Sequence, residues 1–169
     1  MNLKNIIKNK YYKYKDTPFT LTSGKESNHY FDLRPLLNNP KELGMVTYHF
    51  CKEVVKYDID CIGGMETGAI PLCTATALTL YYNKIMFLNT FFIRKKAKEH
   101  GTKSLIEGRG TRGIVIDDVL TTGGSIKKSI DIAHKYGIDI VAALVIIDRQ
   151  ECEIKLPNLF SIFKKEDFL

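Results

Sequence analysis

Residues Ile138 to Asp148, IDIVAALVIID, form a long run in which apolar side chains occupy consecutive positions. Successive side chains of a strand point to opposite faces, so an unbroken apolar strand must be covered on both. That demand is met when helices pack on both sides of a mostly parallel sheet. The rest of the chain fits this arrangement. Short apolar strand patterns at Ile59–Gly63, Lys84–Ile93 and Gly113–Asp118 alternate with helical ones. The first helix starts at Asn39-Pro40-Lys41-Glu42, with a capping Asn, Pro at the first helical position and Glu in the first turn. Leu43, Val46, Phe50 and Val54 then recur at helical spacing. Ala69–Tyr82 reads as a second helix. Gly124–Tyr136 reads as a third, with Ile126, Ile130 and Ala133 on one face and Gly137 closing it. Pro157–Leu169 supplies a last short strand and turn. Residues 1–38 fit the pattern less well and read mainly as a small hood on the α/β core of residues 39–169, within a single domain.

At 169 residues, 44% of them hydrophobic, the chain can bury a core without disulfides or a structural metal. Cys51, Cys61, Cys73 and Cys152 contain no CxxC pair, which argues against a zinc site and for reduced core thiols. The N-terminus is basic but has no apolar run of signal-peptide length. The longest apolar-leaning stretch, Ala69–Tyr82, is too short to span a bilayer. A cytoplasmic location with no membrane partner is the expectation. The net charge of +6 suits an anionic partner without naming it. Tyr11, Tyr12 and Tyr14 among lysines permit RNA binding, but fit an ordinary solvated amphipathic helix better.

The chemistry concentrates in Ile114–Ser125, IVIDDVLTTGGS. A strand ends in Asp117-Asp118; Val119-Leu120 follows, then Thr121-Thr122-Gly123-Gly124-Ser125 opening a helix. Ligands of open α/β sheets bind beyond the C-terminal ends of strands. A Gly-, Thr- and Ser-rich turn at a helix N-terminus presents backbone N–H groups, short hydroxyls and the positive end of the helix dipole, which suits a monophosphate. Two adjacent carboxylates repel unless something neutralises them or donates hydrogen bonds, and vicinal ribose hydroxyls are good donors. The GxxxxGK[ST] lysine of a P-loop is absent, which disfavours an NTPase.

Between Arg94 and Arg112 stand Arg94, Lys95, Lys96, Lys98, Lys103, Arg109 and Arg112 against Glu99 and Glu107. Gly101, Gly108 and Gly110 break any helix there. A cationic loop of this kind can close over a diphosphate and balance its departing charge. Arg149, at the end of the long strand, can pair with a planar carboxylate or an imide carbonyl. The bland reading of Arg149 is an ion pair with Asp148 or Glu151.

Together these segments resemble the type I phosphoribosyltransferases, and orotate phosphoribosyltransferase in particular. IVIDDVLTTGGS has the form of that family's motif for 5-phospho-α-D-ribose 1-diphosphate (PRPP). Phe19–Arg34 (FTLTSGKESNHYFDLR), Arg94–Thr102 (RKKAKEHGT) with Ile106-Glu107-Gly108, and Ile147–Glu151 (IDRQE) follow in the family's order. Leu159–Phe163 is similar to its C-terminal strand, and Gly63–Gly68 to its diphosphate-binding loop.

The resemblance implies a type I phosphoribosyltransferase fold and conversion of orotate and PRPP to orotidine 5′-monophosphate and diphosphate, in pyrimidine biosynthesis. It implies PRPP contacts from Arg94, Lys95, Lys98 and His100, from Asp117 and Asp118, and from Val119, Leu120, Thr121, Thr122, Gly123, Gly124 and Ser125. Lys98, Asp117 and Asp118 are the catalytic candidates. Thr121, Arg149, Tyr30 and Phe31 would contact orotate. Mg²⁺ is expected, bound mainly through the diphosphate, with no protein metal ligands. A homodimer with active sites shared across the interface is expected, and no nucleic acid. Better-known bacterial members carry lysines where this chain has Thr22 and Gly68. Other readings left open are a phosphoribosyltransferase for another base and a non-catalytic regulator that senses PRPP or binds RNA.

Overall fold

A computed structural model describes residues 2–20, 24, 26–96 and 104–169. The chain opens with α1 (Leu3–Ile6), which runs on through a π-helical turn, Ile7–Tyr11. Two antiparallel strands follow, β1 (Tyr12–Thr20) and β2 (Glu26–Phe31), forming a small sheet of their own. A single helical turn, α2 (Arg34–Leu37), leads to α3 (Pro40–Val54). The Asn39 side chain accepts from the N–H groups of Lys41 and Glu42, as the sequence requires of a cap.

The core then alternates: β3 (Cys61–Met65), α4 (Ala69–Tyr82), β4 (Asn89–Ile93), β5 (Ile106–Gly108), β6 (Arg112–Leu120), α5 (Gly124–Lys135), β7 (Asp139–Asp148) and β8 (Leu159–Lys164), closed by a 3₁₀ turn, Lys165–Phe168. The sheet order is β5-β4-β3-β6-β7-β8. Neighbours are parallel except β4 and β5. The carboxylate of Asp60 accepts from Thr111 and from the Arg112 N–H, tying the start of β3 to that of β6.

The long apolar run is explained by two cores, one on each face. Ala142, Leu144 and Ile146 pack with α3, α4 and the N-terminal helix. Ala143 and Val145 point the other way, against Ile126, Ile130 and Ala133 of α5. Ile114 and Ile116 of β6 share the first core and Val115 the second.

Four details differ from the sequence reading. The strand expected over Lys84–Ile93 begins at Asn89, because Lys84 turns the chain at φ 56° and leaves Ile85 and Phe87 exposed. Strand β5 was not foreseen; three residues among glycines carry too little periodicity, and it makes one edge antiparallel. Strand β6 runs to Leu120 rather than Asp118, because Val119 and Leu120 stay in register with Ile147 and Asp148. The tyrosine cluster is not one solvated helix. Tyr11 is buried against Glu42, while Tyr12 and Tyr14 lie on β1 beside the ring of His29.

Candidate active site

The C-terminal ends of β3, β6 and β7 and the end of β2 border a cavity of about 320 Å³. A second pocket of about 180 Å³ adjoins it, lined by residues 119–126 and Asp117. Asp117, Val119, Thr121 and Ser125 border both, so the two form one continuous site.

The smaller pocket lies at the N-terminus of α5. Gly123 caps that helix at φ 85°, in the left-handed region, and a Cβ there would lie 2.6 Å from Cys152 Sγ. Glycine is therefore required twice over, by conformation and by space. The first N–H groups of a helix have no intrahelical acceptor, so those behind Gly123 are available to an anion.

Asp117 and Asp118 sit side by side between the pockets. Each carboxylate accepts the next backbone N–H: Asp117 from Asp118 at 2.9 Å, and Asp118 from Val119 at 2.8 Å. Burial, reinforced by the charge of Asp118, raises the Asp117 pKa well above the usual carboxylate range. The backbone of Gly68 passes over the pair: a Cβ on it would lie 3.4 Å from Asp118 Cγ and 3.6 Å from Asp117 Oδ1. Lys95 lines the cavity and attracts Asp117. Its backbone N–H donates to Glu66 Oε1 at 2.8 Å, which joins the Gly63–Gly68 loop to the start of the basic loop.

At the opposite end stands Arg149, 1% exposed. Its Nε and Nη2 donate to Glu151 Oε1 at 3.2 and 3.0 Å. Nη2 also donates to Ser27 Oγ at 2.8 Å, and Nη1 to the His29 carbonyl at 3.1 Å. The bland reading, a pair with Glu151, is thus realised, yet Arg149 still borders the cavity with Tyr30 and Phe31. The Phe31 ring is turned into the core against Tyr12 and Phe168.

The sequence-derived residues are therefore largely gathered in one place. Tyr30, Phe31, Lys95, Asp117, Asp118, Val119, Thr121, Ser125 and Arg149 line the cavity, and Leu120, Thr122, Gly123 and Gly124 line the smaller pocket. Arg94 is beside the site instead, ion-paired with Glu107 through Nε at 2.8 Å. Lys98, His100 and Thr22 lie outside the described residues.

Two cavity residues were given no role in the sequence reading: Asp32 and Arg34 form an ion pair at its edge, with Nε to Oδ1 at 2.7 Å. Glu66 and Thr67, which also line the cavity, lie on the Gly63–Gly68 segment already singled out there. The two-residue spacing of Asp32 and Arg34 on FDLR was the available signal for that pair. No helix among the described residues is long and apolar enough to cross a membrane.

The mostly parallel sheet, with an acid pair and a glycine-rich helix terminus beyond the C-terminal ends of its strands, defines an α/β domain with one continuous polar cavity there. Residues 38–167 match the model of the phosphoribosyl transferase domain. The chain is 42% identical over 138 residues to orotate phosphoribosyltransferase of Pyrococcus horikoshii, covering 79% of this chain and 71% of that protein. It is 36% identical over 180 residues to the Rhodopseudomonas palustris orotate phosphoribosyltransferase, covering 99% and 94%. Its fold superposes on the Mycobacterium tuberculosis orotate phosphoribosyltransferase with a TM-score of 0.80 at 24% identity, covering 98% and 96% of the two chains. The chain belongs to the orotate phosphoribosyltransferase family of phosphoribosyltransferases.

Proposed function

We propose that the chain transfers the phosphoribosyl group of PRPP to orotate, giving orotidine 5′-monophosphate and diphosphate in pyrimidine biosynthesis. The observation that carries this reading is the order of groups along one site: anion-binding helix terminus, acid pair, then Arg149 beside the backbone of β2. Those three meet the 5′-phosphate, the ribose hydroxyls and a planar anionic base in the order PRPP and orotate require. In this reading the N-terminus of α5 and residues 121–125 hold the phosphate. Asp117 and Asp118 accept hydrogen bonds from the ribose hydroxyls. Their charge also favours the positive character that develops on the sugar as the base nitrogen displaces diphosphate. Arg149 and the β2 backbone orient the pyrimidine, and Thr121 approaches it from the phosphate loop.

The departing diphosphate lies toward the Gly63–Gly68 loop, with Lys95 and Lys98 as its cations. Lys98 is the best candidate to act on the leaving group, with Arg94 and His100 on the same loop.

Glu66, Asp117 and Asp118 line the cavity, but among the described residues no cluster of three His, Cys, Asp or Glu could hold a metal ion. Mg²⁺ would be held mainly by substrate oxygens and water, with Asp117 and Asp118 as the nearby carboxylates. It would neutralise charge on the diphosphate.

The working unit in this proposal is a cytoplasmic homodimer whose basic loop serves the neighbouring site. Loss of orotate absorbance in a mixture with PRPP and Mg²⁺ tests the reaction. Turnover of another base but not orotate would overturn the substrate. Mixing Lys98→Ala and Asp118→Asn subunits tests the shared site, and confirmed heterodimers without recovered activity would count against it.

A further inference from the structure

Arg149 is held by more than a ligand-binding arginine needs. After β7 the Gln150 N–H donates to Asp148 Oδ1 at 2.7 Å, and Gln150 adopts φ 60°. This tight turn brings Glu151 back beneath the guanidinium of Arg149. The same oxygen that accepts both arginine bonds, Glu151 Oε1, also accepts from Lys165 Nζ at 3.1 Å. Lys165 comes from the last turn of the chain, and Ser27 and His29 from the hood. Three segments remote in sequence therefore meet at the Arg149–Glu151 pair.

The charges in this group have a consequence. A buried arginine needs a countercharge, and Glu151 supplies it; removing one partner of such a pair is strongly destabilising. Although burial works against it, the bonds from Arg149 and Lys165 hold the Glu151 carboxyl below its usual range, so it stays ionised. Arg149 and Glu151 sum to zero, which weakens the pull of the guanidinium on an anion. With Lys165 the trio carries +1.

We propose that Glu151 and Lys165 are positioning residues for the base. Glu151 fixes the Arg149 guanidinium across the end of the cavity and against β2. Lys165 holds Glu151 in place and leaves the group net positive toward an anionic pyrimidine. This rests on the reading of Arg149 as the base-binding residue.

The test uses the full chain with Glu151→Gln, Lys165→Met and Lys165→Arg. Michaelis constants for orotate and PRPP are measured separately, and hydrogen exchange is followed over residues 26–31. Glu151→Gln and Lys165→Met should each raise the orotate KM about tenfold and leave the PRPP KM within about twofold; this factor of ten corresponds to about 1.4 kcal/mol. Lys165→Arg should return the orotate KM close to the parent value. An unchanged orotate KM, or equal rises for both substrates, overturns the proposal, the second outcome marking a merely structural role. If the parent enzyme uses a different base, the orotate reading fails, and the KM for that base judges the same variants. If it uses none, exchange over residues 26–31 decides: faster in Glu151→Gln supports positioning of β2, and unchanged exchange overturns it.

Discussion

At the end of the cavity proposed for the phosphate, the candidate groups come from one short stretch, residues 119–126, at a helix terminus. At the end proposed for the base they come from side chains far apart in the chain: Arg149 bonds Ser27, 122 positions away, and Glu151 bonds Lys165. The first end is set by a local turn and one glycine. The second exists only once the hood, β7 and the last turn have docked. A backbone site should tolerate loss of a side chain and fail when its conformation is disturbed. A side-chain network should do the reverse.

The largest effect is expected at the network. Arg149→Met removes the guanidinium and leaves Glu151 with fewer donors in a half-buried place. The kcat/KM for orotate should fall about a thousandfold, roughly 4 kcal/mol. The melting temperature should fall as well, because the hood loses its anchor. Steady-state kinetics and a thermal melt check both parts. An orotate kcat/KM within tenfold of the parent would break the assignment of the base end.

Next in size is Gly123→Ala. The left-handed backbone and the contact with Cys152 Sγ would cost about 2 kcal/mol, raising the PRPP KM roughly thirtyfold while moving the orotate KM little. A PRPP KM unchanged by this variant would mean that the loop does not depend on its turn.

These two substitutions also show why the site was unevenly legible in the sequence. Gly123 stands inside IVIDDVLTTGGS, where helix start, glycine and acids are neighbours and explain one another. Arg149 was legible as a charge at a strand end, but its partners were not. Nothing in the spacing of Ser27 or Lys165 marks them as its neighbours; the pairing of β8 with β7 brings Lys165 there, and docking of the β1–β2 sheet brings Ser27. The fold follows the same rule. The two-faced strands were readable from consecutive apolar residues, whereas β5 needed its pairing with β4 to exist. Arg94 was readable as a loop cation, but its pairing with Glu107 across that strand pair was not.

The acid pair lies between the two ends and gives a pH signature. Asp117 keeps its proton in the folded, empty enzyme above the pH at which an unfolded aspartate, with a pKa of about 3.9, loses it. The folded state then binds more protons than the unfolded one. The empty enzyme should therefore lose stability as the pH rises from near 4 toward the raised value. Ribose hydroxyl donors favour the ionised form, so PRPP affinity should increase over the same interval, by at most about tenfold per pH unit. Thermal melts and PRPP titrations across that range check both signs. Asp117→Asn should flatten both profiles, and a profile unaltered by it would remove Asp117 from the account.

The smallest effect belongs to Ser125→Ala. Ser125 borders both pockets, and its hydroxyl is one of the few side-chain donors available to a phosphate there. Its backbone N–H stays with the helix terminus in the alanine variant, and water can reach the vacated position. The hydroxyl is then worth about 1 kcal/mol, and the PRPP KM should rise about fivefold with kcat and the orotate KM close to parent values. A hundredfold rise would mean that hydroxyls rather than backbone hold the phosphate. The contrast between the two ends of the cavity would then disappear, because both would be networks of side chains.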